Sequence, residues 1–221
     1  MKKAFVALAA FLAVALMAGV AYADFSPQFT MALSDTKAKA NPNMDFHMEF
    51  DAEDEEIGLF TARIPKGFNI ASDEEIEQDD VLGGGEITIQ AGFACRPDTG
   101  AIPLSAPVTV TASFLEKDRT DEEADAGVHS VWFLDLEPLN RVRLRVTGSP
   151  ARGWTVSGAP DPSDNTCNPL IVDLTINGTS EAGVPVITNP KKPGKYVFKA
   201  EISSQDSASV AKFTQPVKIT R

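Results

Sequence analysis

Met44-Asp45-Phe46-His47-Met48-Glu49-Phe50 puts apolar side chains at every even position and polar ones between them. Successive side chains of an extended chain point to opposite faces, so this stretch has one wholly apolar face and one wholly polar face. A helix would scatter the same residues around its circumference. The stretch therefore reads as a strand with an apolar core on one side and water on the other, the habit of antiparallel sheets.

Working outward, the same period recurs between turn residues. Residues 28–34 alternate Phe29, Met31 and Leu33, and residues 57–64 form a further strand stopped by Pro65-Lys66-Gly67. Gly83-Gly84-Gly85 precedes an expected strand at 86–92, and residues 107–115 alternate Val108, Val110, Ala112 and Phe114. Further strands are expected at 128–136, 141–146, 153–157, 170–176, 184–188, 196–203 and 210–220. Pro, Gly, Asp and Asn separate them, as turns require. The one helix expected is short, at 72–79, where Ser72 and Glu75 have capping-box spacing and acids fill the first turn. Parallel α/β folds need long helices between strands, and none is present. The expected fold is an all-β antiparallel sandwich, one large or two small, spanning 24–221. If it divides, the break falls in the turn-rich region 148–169.

The start of the chain has a different character. Met1-Lys2-Lys3, an apolar run over 4–20 and Ala21-Tyr22-Ala23 have the layout of a cleaved secretory signal peptide. The expected location is thus secreted or cell-envelope. Two of the 20 Lys+Arg and none of the 31 Asp+Glu lie in residues 1–23, leaving 18 basic against 31 acidic side chains, net −13. That balance argues against nucleic acid as a partner. After Ala23 no apolar run nears the roughly 18 residues that cross a bilayer. A membrane barrel is disfavoured by the final Arg221 and by aromatics too few for two girdles.

Cys95 and Cys167 are expected to pair, as two cysteines of an exported protein usually do. The bridge closes a loop of about 73 residues, worth about 4 kcal/mol in the chain-entropy picture. Two free buried thiols are the alternative. Acids cluster at 51–56, 73–80 and 116–125 without the spacing of a known Ca²⁺ loop. Solvated loop charge is the plain explanation, and no cofactor is expected. If Ca²⁺ binds, Asp118, Asp121, Glu122, Glu123 and Asp125 are the candidate ligands, by oxygen chemistry. Arg141, Arg143 and Arg145 share one face of a strand and suit either an acidic glycan or pairing with acids on neighbouring strands. Trp154, after Gly153 and beside a loop, is the better candidate of two for a sugar-stacking ring, with core packing as the alternative. Trp132 reads as core. No Gly-x-Ser-x-Gly elbow or His-Glu-x-x-His zinc site occurs, which leaves hydrolase chemistry with little support.

The closing segment, Lys192-Pro193-Gly194-Lys195-Tyr196-Val197-Phe198-Lys199-Ala200, followed by a last strand ending Val217-Lys218-Ile219, resembles the end of exported bacterial immunoglobulin-like β-sandwich proteins. Ile64-Pro65-Lys66-Gly67-Phe68 and Gly84-Gly85-Glu86-Ile87 are similar to stretches of the same group. The resemblance is a pattern of turns and strands across most of the mature chain. It implies fold class and export and carries no catalytic residue. The expected function is a non-enzymatic, exported interaction or structural module that meets a protein or glycan at the cell surface. A carbohydrate-binding module is the alternative. A glycan hydrolase built on two carboxylates is the third reading.

Overall fold

Among the described residues thirteen strands follow one another: β1 Gln28–Leu33, β2 Met44–Glu49, β3 Ile57–Ile64, β4 Asn69–Ile70, β5 Val81–Ala91, β6 Ile102–Ser113, β7 Val128–Asp135, β8 Arg141–Ser149, β9 Gly153–Gly158, β10 Pro169–Ile176, β11 Ile187–Thr188, β12 Gly194–Ser204 and β13 Val210–Ile219. The structure, a computed structural model, describes residues 25–51, 57–91, 102–113, 127–135, 141–159, 169–205 and 208–221. Eleven strands make one sheet in the order β1-β2-β10-β5-β6-β7-β8-β9-β3-β12-β13, while β4 and β11 pair separately. Every neighbouring pair in both sheets is antiparallel.

The large sheet curls until its two edges meet. Phe29 of β1 and Phe213 of β13 lie with ring centroids 5.5 Å apart. Just past β1, Lys37 bridges Thr220 in parallel, with Ala38 N–H donating to Thr220 O at 3.0 Å and Thr220 N–H to Thr36 O at 2.7 Å. The all-β antiparallel class expected from the alternation is what the chain adopts. The two stacked sheets of a sandwich are not: one continuous sheet wraps into a nearly closed barrel. Strands from either side of 148–169 are neighbours in it, with β10 between β2 and β5 and β12 beside β3.

The curl has a local cause in β5. Gly83-Gly84-Gly85, expected to precede a strand, lies inside one. Gly83 and Gly85 register with Ile176 and Leu174 on β10 and with Val110 and Val108 on β6. A Cβ on Gly85 would sit 1.9 Å from Asp173 O, and one on Gly83 2.0 Å from Thr175 O. Such approaches are open only to glycine, and glycine kinks of this kind bend a sheet toward closure.

The expected helix at 72–79 is corrected as well: the described residues contain no helix. Its capping contacts do form, since Ser72 N–H donates to Glu75 Oε2 at 2.8 Å and Glu75 N–H to Ser72 O at 3.0 Å. The neighbouring residues Asp79 and Asp80 prevent a second turn. Asp79 takes φ 63°, and the 79–80 backbone is claimed by β6, with Asp79 N–H donating to Ala112 O at 2.9 Å and Ala112 N–H to Asp80 O at 3.0 Å. Ladder bonds of this kind add to burial of Ile76 and outweigh one more helical turn, because short helices are marginal without packing.

Alternation fixes the two barrel faces. Met44, Ala62, Ile64, Trp132, Leu144, Val146, Val156, Leu174 and Ile176 are buried within one core. Asp45, His47 and Glu49 of β2 and the three arginines of β8 lie on the opposite, outward face. A membrane-spanning barrel has the reverse arrangement, apolar outside and polar within. Among the described residues no helix is long and apolar enough to cross a membrane. One end of the barrel is covered by the β4–β11 pair, where Ile70 and Ile187 are both 1% exposed.

Candidate functional site

The residues singled out by sequence fall in different places. Trp154 is 3% exposed, its indole N–H donates to Phe68 O at 2.9 Å, and its ring lies 4.5 Å from that of His129. It presents no open face to a sugar, because β9 turns its even-numbered residues inward. Arg141, Arg143 and Arg145 do share the outer face of β8. Arg141 Nε is 2.5 Å from Asp135 Oδ1 on β7, its register partner. Arg141 and Arg143 also stand 4.6 and 5.7 Å from the Phe133 ring centroid. Arg141 and Arg143 are thus held by cross-strand pairing and cation–π contact. Asp118, Asp121, Glu122, Glu123 and Asp125, and both Cys95 and Cys167, lie outside the described residues.

On the outer face of β2, His47 meets two acids: Nδ1 is 2.6 Å from Asp173 Oδ1 and Nε2 is 3.0 Å from Glu49 Oε1. The hydrogen bond to Asp173 and then that to Glu49 raise its pKa above the ordinary 6.5, burial opposing them. Among the described residues no three His, Cys, Asp or Glu side chains are placed to hold a metal ion.

Inside the barrel, Met44, Phe46, Met48, Phe60, Trp132 and Ile187 help to line an apolar cavity of about 40 Å³. That holds about one water-sized body, far below the several hundred cubic ångströms of an ordinary ligand pocket. Among the described residues the barrel interior is thus filled by side chains.

The larger concavity is at the barrel end where β3 and β8 finish and β12 begins. It measures about 830 Å³ and is lined by Lys39, Lys66, Lys191 and Lys192, by Asn69, Thr188, Asn189 and Tyr196, and by Gly67, Pro150, Ala151 and Pro190. Among the described residues no acid lines it. Four lysines line this groove in a chain of net charge −11. Asp35, the nearest acid in sequence to Lys39, accepts the Lys37 N–H through Oδ1 at 2.8 Å.

The groove's walls are tied to one another. Gly67 N–H donates to Pro150 O at 2.7 Å, Lys39 N–H to Pro190 O at 3.3 Å and Asn189 N–H to Ala40 O at 2.8 Å. Asn189, 2% exposed, also donates through Nδ2 to Asp35 O at 2.9 Å and Lys37 O at 2.8 Å. Its Oδ1 is buried without a hydrogen-bond partner among the described residues. Tyr196 packs edge-on against Phe68, with centroids 5.7 Å apart, and its hydroxyl donates to Lys192 O at 2.8 Å. Lys39 is held at φ 66° and Gly67 at φ 99°. Left-handed backbone at a non-glycine residue costs about 1 kcal/mol and marks a position fixed by its surroundings.

None of these lysines was singled out by sequence. They come from three separate segments and have no common spacing. The one local signal is Pro190-Lys191-Lys192-Pro193, two cations between two rigid residues. Comparison of the chain with protein-family models, with curated proteins and with solved structures found no match.

Proposed function

We propose that this protein is an exported, non-enzymatic β-barrel module that binds a partner at the cell surface or outside the cell. The observation that carries the reading is the groove of about 830 Å³, whose walls from four parts of the chain are joined by backbone hydrogen bonds. A site ordered before binding spends little of its interaction energy on ordering itself. The resemblance to exported bacterial immunoglobulin-like proteins and the leader-like residues 1–23 support export. The second reading, a carbohydrate-binding module, is favoured by Tyr196 beside Asn69, Thr188 and Asn189 in the same groove. Aromatic face plus amides and hydroxyls is the chemistry that grips sugars.

The test is turnover. The mature chain is incubated with a panel of polysaccharides and ester substrates and assayed for released product. No turnover is expected. Product formation that disappears in His47→Gln or Asp173→Asn would overturn the non-enzymatic reading in favour of hydrolysis.

A further inference from the structure

We infer that the groove formed by Lys39, Lys66, Lys191, Lys192 and Tyr196 binds an acidic polysaccharide, one carrying about one carboxylate per sugar. The inference rests on the binding-module reading and names the ligand class of its site.

Charge selects the ligand's sign. Among the described residues four lysines and no acid line the groove, within a chain that has 31 Asp+Glu against 20 Lys+Arg. The net acidity of the chain repels anions at long range, so a groove lined by four lysines is a place where an anion gains against that background. Charge density then separates two polyanions. Duplex DNA carries one charge per about 1.7 Å of its axis, and it would bring many uncompensated phosphates against the acidic flanks. A uronic-acid chain spaces its carboxylates by a whole sugar ring, so few anions lie outside the groove at once.

The remaining lining fits what lies between those carboxylates. Asn69 offers an exposed amide, Thr188 a hydroxyl that donates to Asn41 Oδ1 and can still accept, and the half-buried Tyr196 a ring held in place by Phe68 and by its bond to Lys192 O. Lysine is a mobile point charge that tolerates variable carboxylate position, where arginine would impose a fixed fork.

The experiment measures binding of the mature chain by titration calorimetry at low and moderate salt. The probes are polygalacturonate oligosaccharide, its methyl ester with the same backbone and no charge, and a DNA duplex. Polygalacturonate is expected to bind, the ester and the duplex much more weakly, and salt is expected to weaken the complex. Each exposed lysine–carboxylate contact is worth a factor of about 1.4 to 5. Changing Lys39, Lys66, Lys191 and Lys192 together to Ala is therefore expected to weaken binding by roughly 4- to 600-fold. A control changes Lys195, Lys199, Lys212 and Lys218 to Ala, altering net charge equally outside the lining, and is expected to keep most of the affinity. Thermal melts verify that both variants fold. Equal losses in the two variants would overturn the assignment to the groove. Binding of the ester or the duplex as tightly as the acid would overturn the ligand class while leaving a binding module in place. Turnover of polygalacturonate would instead sink the non-enzymatic reading.

Discussion

Replacing Trp154 separates a structural ring from a ligand-stacking one. Trp154→Phe keeps most of the apolar volume but deletes the indole N–H that Phe68 O accepts at 2.9 Å in a site 3% exposed. Leaving a buried carbonyl without that donor costs about 1–3 kcal/mol. Trp154→Ala also empties the volume of the ring and removes its contact with His129 at 4.5 Å, and large-to-small changes of this kind cost about 3–5 kcal/mol. For a chain of this length each kcal/mol lowers Tm by about 2–4 °C. The expected falls are thus about 2–12 °C for the Phe variant and about 6–20 °C for the Ala variant. Urea unfolding followed by far-UV circular dichroism gives the free energies. The same two proteins are titrated with polygalacturonate, and affinity per folded molecule should hold for Phe. If both variants unfold within about 0.5 kcal/mol of the parent while glycan binding vanishes, the ring is a surface platform and the packing argument is wrong.

Gly85→Ala should destabilise by about 1–3 kcal/mol or more, since its Cβ would lie 1.9 Å from Asp173 O; a change within error would show that β5 and β10 do not approach so closely. The same substitution displaces Asp173, so an imidazole titration by NMR should find the His47 pKa moved back toward 6.5. The His47 pair is fully stabilising below the unfolded value of 6.5 and loses its contribution as pH rises through the raised folded value, in line with proton linkage. All three side chains are more than a third exposed, so the effect is under about 1 kcal/mol; the stability gap between the parent and His47→Gln should shrink from pH 5.5 to 8.5, and a widening gap would contradict it. Thiol titration of the denatured, unreduced protein should find no free thiol at Cys95 and Cys167, and two titratable thiols would reject the pairing.

Strand alternation was legible because it is local. Residues 44–50 show it plainly: Met44, Phe46 and Met48 line the interior and Asp45, His47 and Glu49 face out. The partners of each strand were not legible, because pairing is decided far along the chain, with β10 inserted between β2 and β5. Whether such a sheet stacks or closes depends on its curl, and the signal for that, Gly83-Gly84-Gly85, looks the same as a turn in sequence. The capping box at Ser72 and Glu75 was read correctly as a contact and wrongly as a helix, because β6 competes for the backbone beyond it. The arginine row showed its shared face but not that Asp135, six residues before Arg141, would hold its first member. The groove was hidden for a plain reason: Lys39, Lys66 and Lys191 are brought together only when the β1–β2 connection, the end of β3 and the segment before β12 converge on one end of the barrel.

The meeting of β1 with β13 ties the earliest strand of the fold to the latest. Phe29 rests on Phe46, Phe60 and Phe213, so its berth is complete only after residues 210–219 arrive. A ribosome delivers the polypeptide from its front, which leaves that phenylalanine waiting throughout for its final neighbour. The ring behaves as a clasp, and the contact it makes with β13 spans almost the whole length of the fold, the kind of long-range closure that slows folding. Any break that removes the last strand should leave an open, adhesive margin along the first one.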